Sequence, residues 1–125
     1  MRAIYTGSVF KMKYRSTYII DENTKIIKLD NGIELKEHVV VNKNFHYVEY
    51  LNEDDYFHNP IGPARIRTGL GSSYKEWYFN GEFHRLDGPA IEFEDGEKMW
   101  YINGSRIPVN SQEEFERYIR LLPFK

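Results

Sequence analysis

The chain contains no cysteine, which excludes disulfides and thiolate metal sites and fits a reducing compartment. It also lacks a long apolar run. No segment has the length of a membrane span, and Lys11, Lys13 and Arg15 interrupt the one N-terminal stretch that could have served as a signal peptide. The chain therefore reads as soluble and intracellular. Charge of one sign is missing too: residues 1–51 carry eight Lys/Arg against six Asp/Glu, and residues 52–125 carry nine against thirteen. That balance argues against a dedicated nucleic-acid binder and equally against an acidic nucleic-acid mimic.

Aromatic side chains are plentiful: 16% of 125 residues, ten of them Tyr, a composition that suits β-structure and contact surfaces. The 41% hydrophobic and 29% charged content is that of a globular chain. The length suits one domain with a modest core.

Two segments repeat. His58-Asn59-Pro60-Ile61-Gly62-Pro63-Ala64 is echoed 26 residues later by His84-Arg85-Leu86-Asp87-Gly88-Pro89-Ala90. Trp77-Tyr78-Phe79-Asn80-Gly81 is echoed 23 residues later by Trp100-Tyr101-Ile102-Asn103-Gly104. The three-residue difference falls in the glycine-rich segment 68–73. Asn80-Gly81 and Asn103-Gly104 predict two-residue hairpin turns, because Asn and Gly tolerate positive φ. Asp87-Gly88-Pro89 and Asp95-Gly96 mark turns at the opposite edge. The strands between them fall at 75–79, 82–85, 90–94, 98–102 and 105–108.

Residues 1–51 read as further strands at 17–21, 25–29, 33–37, 39–41 and 45–51. Ser111-Gln112-Glu113-Glu114 is a capping box, and Phe115, Tyr118, Ile119 and Leu122 follow at helical spacing before Pro123. The predicted fold is mainly β: an antiparallel β-meander of repeat hairpins with one C-terminal capping α-helix. The single domain divides into a β-rich portion (1–51), the hairpins (52–108) and the helix (111–122). The helix is expected to cover the tryptophan face or the open end of the sheet. Terminal units of repeat arrays need such caps.

Residues 56–125 resemble repeat proteins built on Trp-Tyr-x-Asn-Gly and His-Arg-x-Asp-Gly-Pro-Ala, distant relatives of MORN repeats encoded largely by tailed bacteriophages and some giant viruses. The ending from Trp100 through Ser111-Gln112-Glu113-Glu114-Phe115 to Tyr118 is similar to that of the phage members. The resemblance implies a small accessory protein made in the cytoplasm of an infected bacterial host, and no catalytic residue comes with it. It leaves residues 1–50 unassigned.

Chemistry has few footholds. Histidines 58 and 84 sit at repeat positions where an imidazole would bond a neighbouring turn, while His38 and His46 read as ordinary loop or strand residues. No spacing of the metal-ligand kind links them. Glu53-Asp54-Asp55 reads as a solvated turn rather than a cation loop. Ser72-Ser73 has no nucleophile elbow around it, and Gly69-Leu70-Gly71 is too short for a phosphate loop. Arg85 and Asp87 are expected to pair locally, since both charges vanish together in the first copy, where Asn59 and Ile61 stand.

The expectation is thus a non-enzymatic protein without cofactor or metal, binding a host protein such as a bacterial defence effector. Two surfaces are candidates. Tyr78, Met99 and Tyr101 share the sheet face opposite the tryptophans, and tyrosine on a rigid sheet is interface material. That face either meets a partner or packs on the N-terminal portion. Lys11, Lys13 and Arg15 alternate along one strand and would carry the alternative, binding of nucleic acid or another anion.

Overall fold

The computed structural model describes residues 14–123, the first seven by their backbone. Four strands open the meander: β1 (Tyr14–Asp21), β2 (Thr24–Leu29), β3 (Glu34–Val41) and β4 (Phe45–Leu51). Each of their turns is held by a short polar side chain that takes the N–H two residues on: Asp21 from Asn23, Asn31 from Ile33, Asn42 from Asn44. The expected strands 33–37 and 39–41 are one strand. His38 between them pairs in the ladder with Thr24 and Glu49, and its Nδ1 lies 3.1 Å from the Thr24 hydroxyl, so nothing breaks the run.

The repeat region adds β5 (Arg65–Gly69), β6 (Tyr74–Glu76), β7 (Tyr78–Phe79), β8 (Glu82–Phe83), β9 (Ile91–Phe93), β10 (Lys98–Ile102) and β11 (Ser105–Ile107). Nine strands form one antiparallel sheet in the order β1-β2-β3-β4-β5-β6-β9-β10-β11, and β7-β8 make a separate hairpin. The pairing of β4 with β5 carries the sheet across residue 51. The N-terminal portion therefore extends the repeat sheet edge to edge instead of covering one of its faces.

The expected strand 75–79 is divided at Trp77, where the chain changes partners. The Trp77 N–H donates to the Ala90 carbonyl (2.7 Å), and its own carbonyl accepts from His84 N–H (3.1 Å). In β10 the same exchange happens without a break: Lys98 and Met99 pair with β9, Trp100 to Ile102 with β11. Both Asn-Gly turns have positive φ at both residues, 48° and 86° at Asn80-Gly81 and 49° and 82° at Asn103-Gly104, as the hairpin twist requires.

The backbone bonds expose a further unit. Tyr50 N–H donates to the Ala64 carbonyl at 2.7 Å, as Trp77 does to Ala90, and His58 N–H donates to the Tyr50 carbonyl, as His84 does to Trp77. Tyr50 thus occupies the tryptophan position of a unit ahead of the two visible in the sequence.

Side-chain alternation divides the sheet into two faces. One buries Ile27, Leu29 and Leu35 with Tyr50 and Ile61 packed on them, and further along Trp100, Ile102 and Ile107 against helix α1 (Gln112–Arg120). The helix begins as expected, with the Ser111 hydroxyl accepting from Glu114 N–H (3.2 Å). Phe115, fully buried, lies 6.3 Å from the Trp100 ring and contributes about 2–3 kcal/mol by its burial.

Candidate functional site

The histidines, first, are committed to structure. His58 Nδ1 accepts from Asn80 N–H and His84 Nδ1 from Asn103 N–H, each at 2.9 Å, so each clamps the Asn-Gly turn of the following unit. Burial pushes the His58 pKa down to about 4, which keeps Nδ1 free to accept.

Arg85 and Asp87 pair as expected (Nε to Oδ1, 2.9 Å), and Arg85 Nη1 also donates to the Pro89 carbonyl (3.1 Å). In the first copy Asn59 does both jobs with one amide. Its Nδ2 donates to the Pro63 carbonyl and its Oδ1 accepts from Ile61 N–H, each at 3.0 Å. Residue 61 then needs no carboxylate, and Ile61 packs on the Leu35 cluster.

Glu53-Asp54-Asp55 is a turn in which Asn52 Oδ1 takes the N–H of Asp54 and Tyr56, and Asp55 pairs with Lys36. Ser73 is tied to the Gly69 backbone through its hydroxyl. Among the described residues no group of three or more His, Asp or Glu could hold a metal ion. A groove of about 640 Å³ lies between the 85–89 loop and the start of the helix, but the Arg85 it contains is already bonded to Asp87 and Glu92.

The other face of the sheet is different in kind. Cross-strand pairing sets two rows of side chains side by side on it. One row runs Tyr47, Arg67, Tyr74, Phe93 through β4, β5, β6 and β9; the next runs Glu49, Arg65, Glu76, Ile91, Met99 and reaches β10. Arg65 bonds both its neighbours, Glu49 at 3.2 Å and Glu76 at 3.3 Å, and lies 4.8 Å from the Phe57 ring centroid and 5.6 Å from that of Tyr47. Arg67 stacks over Phe45 (5.0 Å) and Tyr47 (5.6 Å).

Beside these rows runs an aromatic ladder that crosses the units: Phe57 to Tyr78 at 5.1 Å, Tyr78 to Phe83 at 4.4 Å, Phe83 to Tyr101 at 5.0 Å. All these rings are half-buried.

Burial sets the electrostatics of this face. It raises the Glu76 carboxyl against the pull of Arg65, and it raises the Tyr78 phenol to about 12, with Glu76 adding to the effect. Burial works against the Arg65 charge, but Tyr74, Glu76 and Glu49 together raise its pKa above the ordinary value. Tyr78 therefore stays a neutral donor, its hydroxyl 3.5 Å from Glu76.

The structure thus places Tyr78, Met99 and Tyr101 together on this face. Lys11 and Lys13 lie outside the described residues. Arg15 falls in β1, at the opposite edge of the sheet, with six strands between it and β10. Arg15 therefore does not share the strands that carry Tyr78, Met99 and Tyr101. Sequence reasoning missed Arg65, Arg67, Glu49 and Glu76. The signal was available in Tyr47-Val48-Glu49-Tyr50 and Tyr74-Lys75-Glu76-Trp77, a Tyr-x-Glu-aromatic pattern 27 residues apart that flanks Arg65-Ile66-Arg67.

Among the described residues, no helix is long and apolar enough to cross a membrane. No family model, no curated protein and no solved structure matches this chain.

Proposed function

We propose that this protein is a non-catalytic binding module that docks a partner protein on its aromatic–arginine face. Following the resemblance of residues 56–125 to phage-type repeat proteins, the partner is a macromolecule of an infected bacterial host, with a defence effector such as a CRISPR nuclease the leading class. The observation that carries the docking face is its composition. Arg65, Arg67 and eight rings (Phe45, Tyr47, Phe57, Tyr74, Tyr78, Phe83, Phe93, Tyr101) stand half-exposed around one surface. Tyr and Arg are the residues that dominate protein interfaces, because they bring large contact area at low entropic cost together with a polar group. The opposite face, by contrast, is occupied by the 58–64 and 84–90 loops and the helix.

The test is a tagged pull-down of the full chain from bacterial lysate, with and without nuclease, read by mass spectrometry. The expected result is a host protein retained in both samples, lost from the Tyr78→Ser/Tyr101→Ser variant and kept by Lys75→Ser/Lys98→Ser on the other face. Retention by both variants, or loss of every partner on nuclease treatment, overturns the reading. The second outcome favours instead the basic segment of Lys11, Lys13 and Arg15 as a nucleic-acid contact.

A further inference from the structure

Arg65 and Arg67 stand two residues apart on one face of β5, and their surroundings make a controlled comparison. Arg65 sits between two glutamates and bonds both. Arg67 sits in the same register between two tyrosines, Tyr47 and Tyr74, with its guanidinium over the Phe45 and Tyr47 rings. No carboxylate or other acceptor bonds it among the described residues. Its Nε is sealed from solvent; the terminal nitrogens, equally without an acceptor there, are not sealed. An arginine placed against rings, with no acceptor on its terminal nitrogens, has its position set before any ligand arrives.

We propose that Arg67 is the receptor for a carboxylate of the docked partner, an Asp or Glu side chain that meets the terminal nitrogens end-on inside the frame of Phe45, Tyr47 and Tyr74. This rests on the reading that a partner protein docks on this face, and names the chemistry it must bring. Guanidinium and carboxylate match as two parallel hydrogen bonds, and surrounding rings that exclude water strengthen such a pair. Charge complementarity selects a protein acid over a nucleic acid. Within the two rows, Glu49 and Glu76 already answer Arg65, which leaves one open cation beside two carboxylates. Phosphate chains are held by several Lys and Arg acting together. Nor do residues 1–13, outside the described part, contain an Asp or Glu to fill the site from within.

The experiment titrates the ¹⁵N-labelled full chain with the capped peptide acetyl-Leu-Glu-Leu-amide, its Gln counterpart and a short oligothymidylate. It follows the Nε–Hε resonance of Arg67, assigned through Arg67→Lys. The Glu peptide is expected to shift that resonance saturably while Arg65 stays in place, the Gln peptide to leave it unmoved, and Arg67→Lys to weaken Glu-peptide binding about tenfold, because lysine cannot reproduce the fork. No shift, an equal response to Glu and Gln peptides, or a response to the oligothymidylate alone overturns the proposal, the last by assigning Arg67 to phosphates. Failure here is separable from failure of the docking face. If the captured partner is lost on Tyr78→Ser/Tyr101→Ser but Arg67 ignores the peptide, the carboxylate receptor falls and the face stands. If capture never depends on the face, the face falls whatever Arg67 binds.

Discussion

Trp77 and Trp100 hold the same position in successive units, make the same change of backbone partners and are both buried, yet different things cover them. Trp77 lies under the guanidinium of Arg85, 3.9 Å from its ring centroid, supplied by the loop that opens the next unit. Among the described residues, a helix follows the Trp100 hairpin where a further unit follows Trp77. The cover of Trp100 is helix α1: Phe115 packs on it, and Gln112 accepts from its indole N–H (3.0 Å) while donating to the Asp87 carbonyl. At the other end, Tyr50 and Ile61 pack together on the Ile27, Leu29 and Leu35 cluster. The repeat fixes the backbone, and whatever comes next in the chain supplies the lid.

The two lids should differ in strength. Phe115→Ala removes a fully buried ring and is expected to cost about 3–5 kcal/mol. Urea unfolding would measure it, with loss of far-UV helical signal and a red shift of Trp100 emission. A cost below about 1 kcal/mol would mean that the helix is not the lid.

The clamp that joins the Trp77 unit to its predecessor should respond to acid. His58 stays neutral in the fold down to about pH 4, whereas an unfolded histidine takes up a proton below its ordinary value of 6.5. The unfolded chain therefore binds more protons between those values, so stability falls as pH drops through the window, by up to about 3 kcal/mol. Urea midpoints for the parent chain and His58→Gln isolate this contribution from that of the carboxylates. Parallel pH profiles for the two would remove His58 from the account.

Arg85→Asn tests the lighter lid by giving the second copy the first copy's solution. The amide should keep the Pro89 bond and uncover Trp77, at about 1–2 kcal/mol, with greater quenching of Trp77 by iodide. A cost matching that of Phe115→Ala would erase the distinction between the lids. The smallest effect belongs to Asp87→Asn, below about 1 kcal/mol and vanishing in high salt, because the Asp87 carboxylate is 34% exposed and open to solvent screening.

Much of this was legible in the residues. The Asn-Gly turns, the histidine bonds to neighbouring turns, the Arg85–Asp87 pair and the helix all rest on contacts within or between adjacent units, where type and spacing decide the outcome. The unit around Tyr50 was hidden because it has neither tryptophan nor an Asn-Gly turn; only its backbone bonds to Ala64 and His58 reveal it. The strand break at Trp77 went unseen because alternation continues through it unchanged. Of the candidate face, Tyr78, Met99 and Tyr101 followed from alternation. Arg65 and Arg67 did not, because their meaning lies in which strands flank β5, a long-range fact that periodicity does not carry.

The two histidine clamps share one direction: each reaches forward to finish a turn that lies 22 or 19 residues further along the chain. The junction between units is therefore chemically the same wherever it occurs. A tandem copy of the second unit would meet a waiting imidazole on one side and offer its own on the other, and the terminal helix would close the array one step further out. The breadth of the ring-lined surface is then set by copy number, with no new kind of contact needed to widen it.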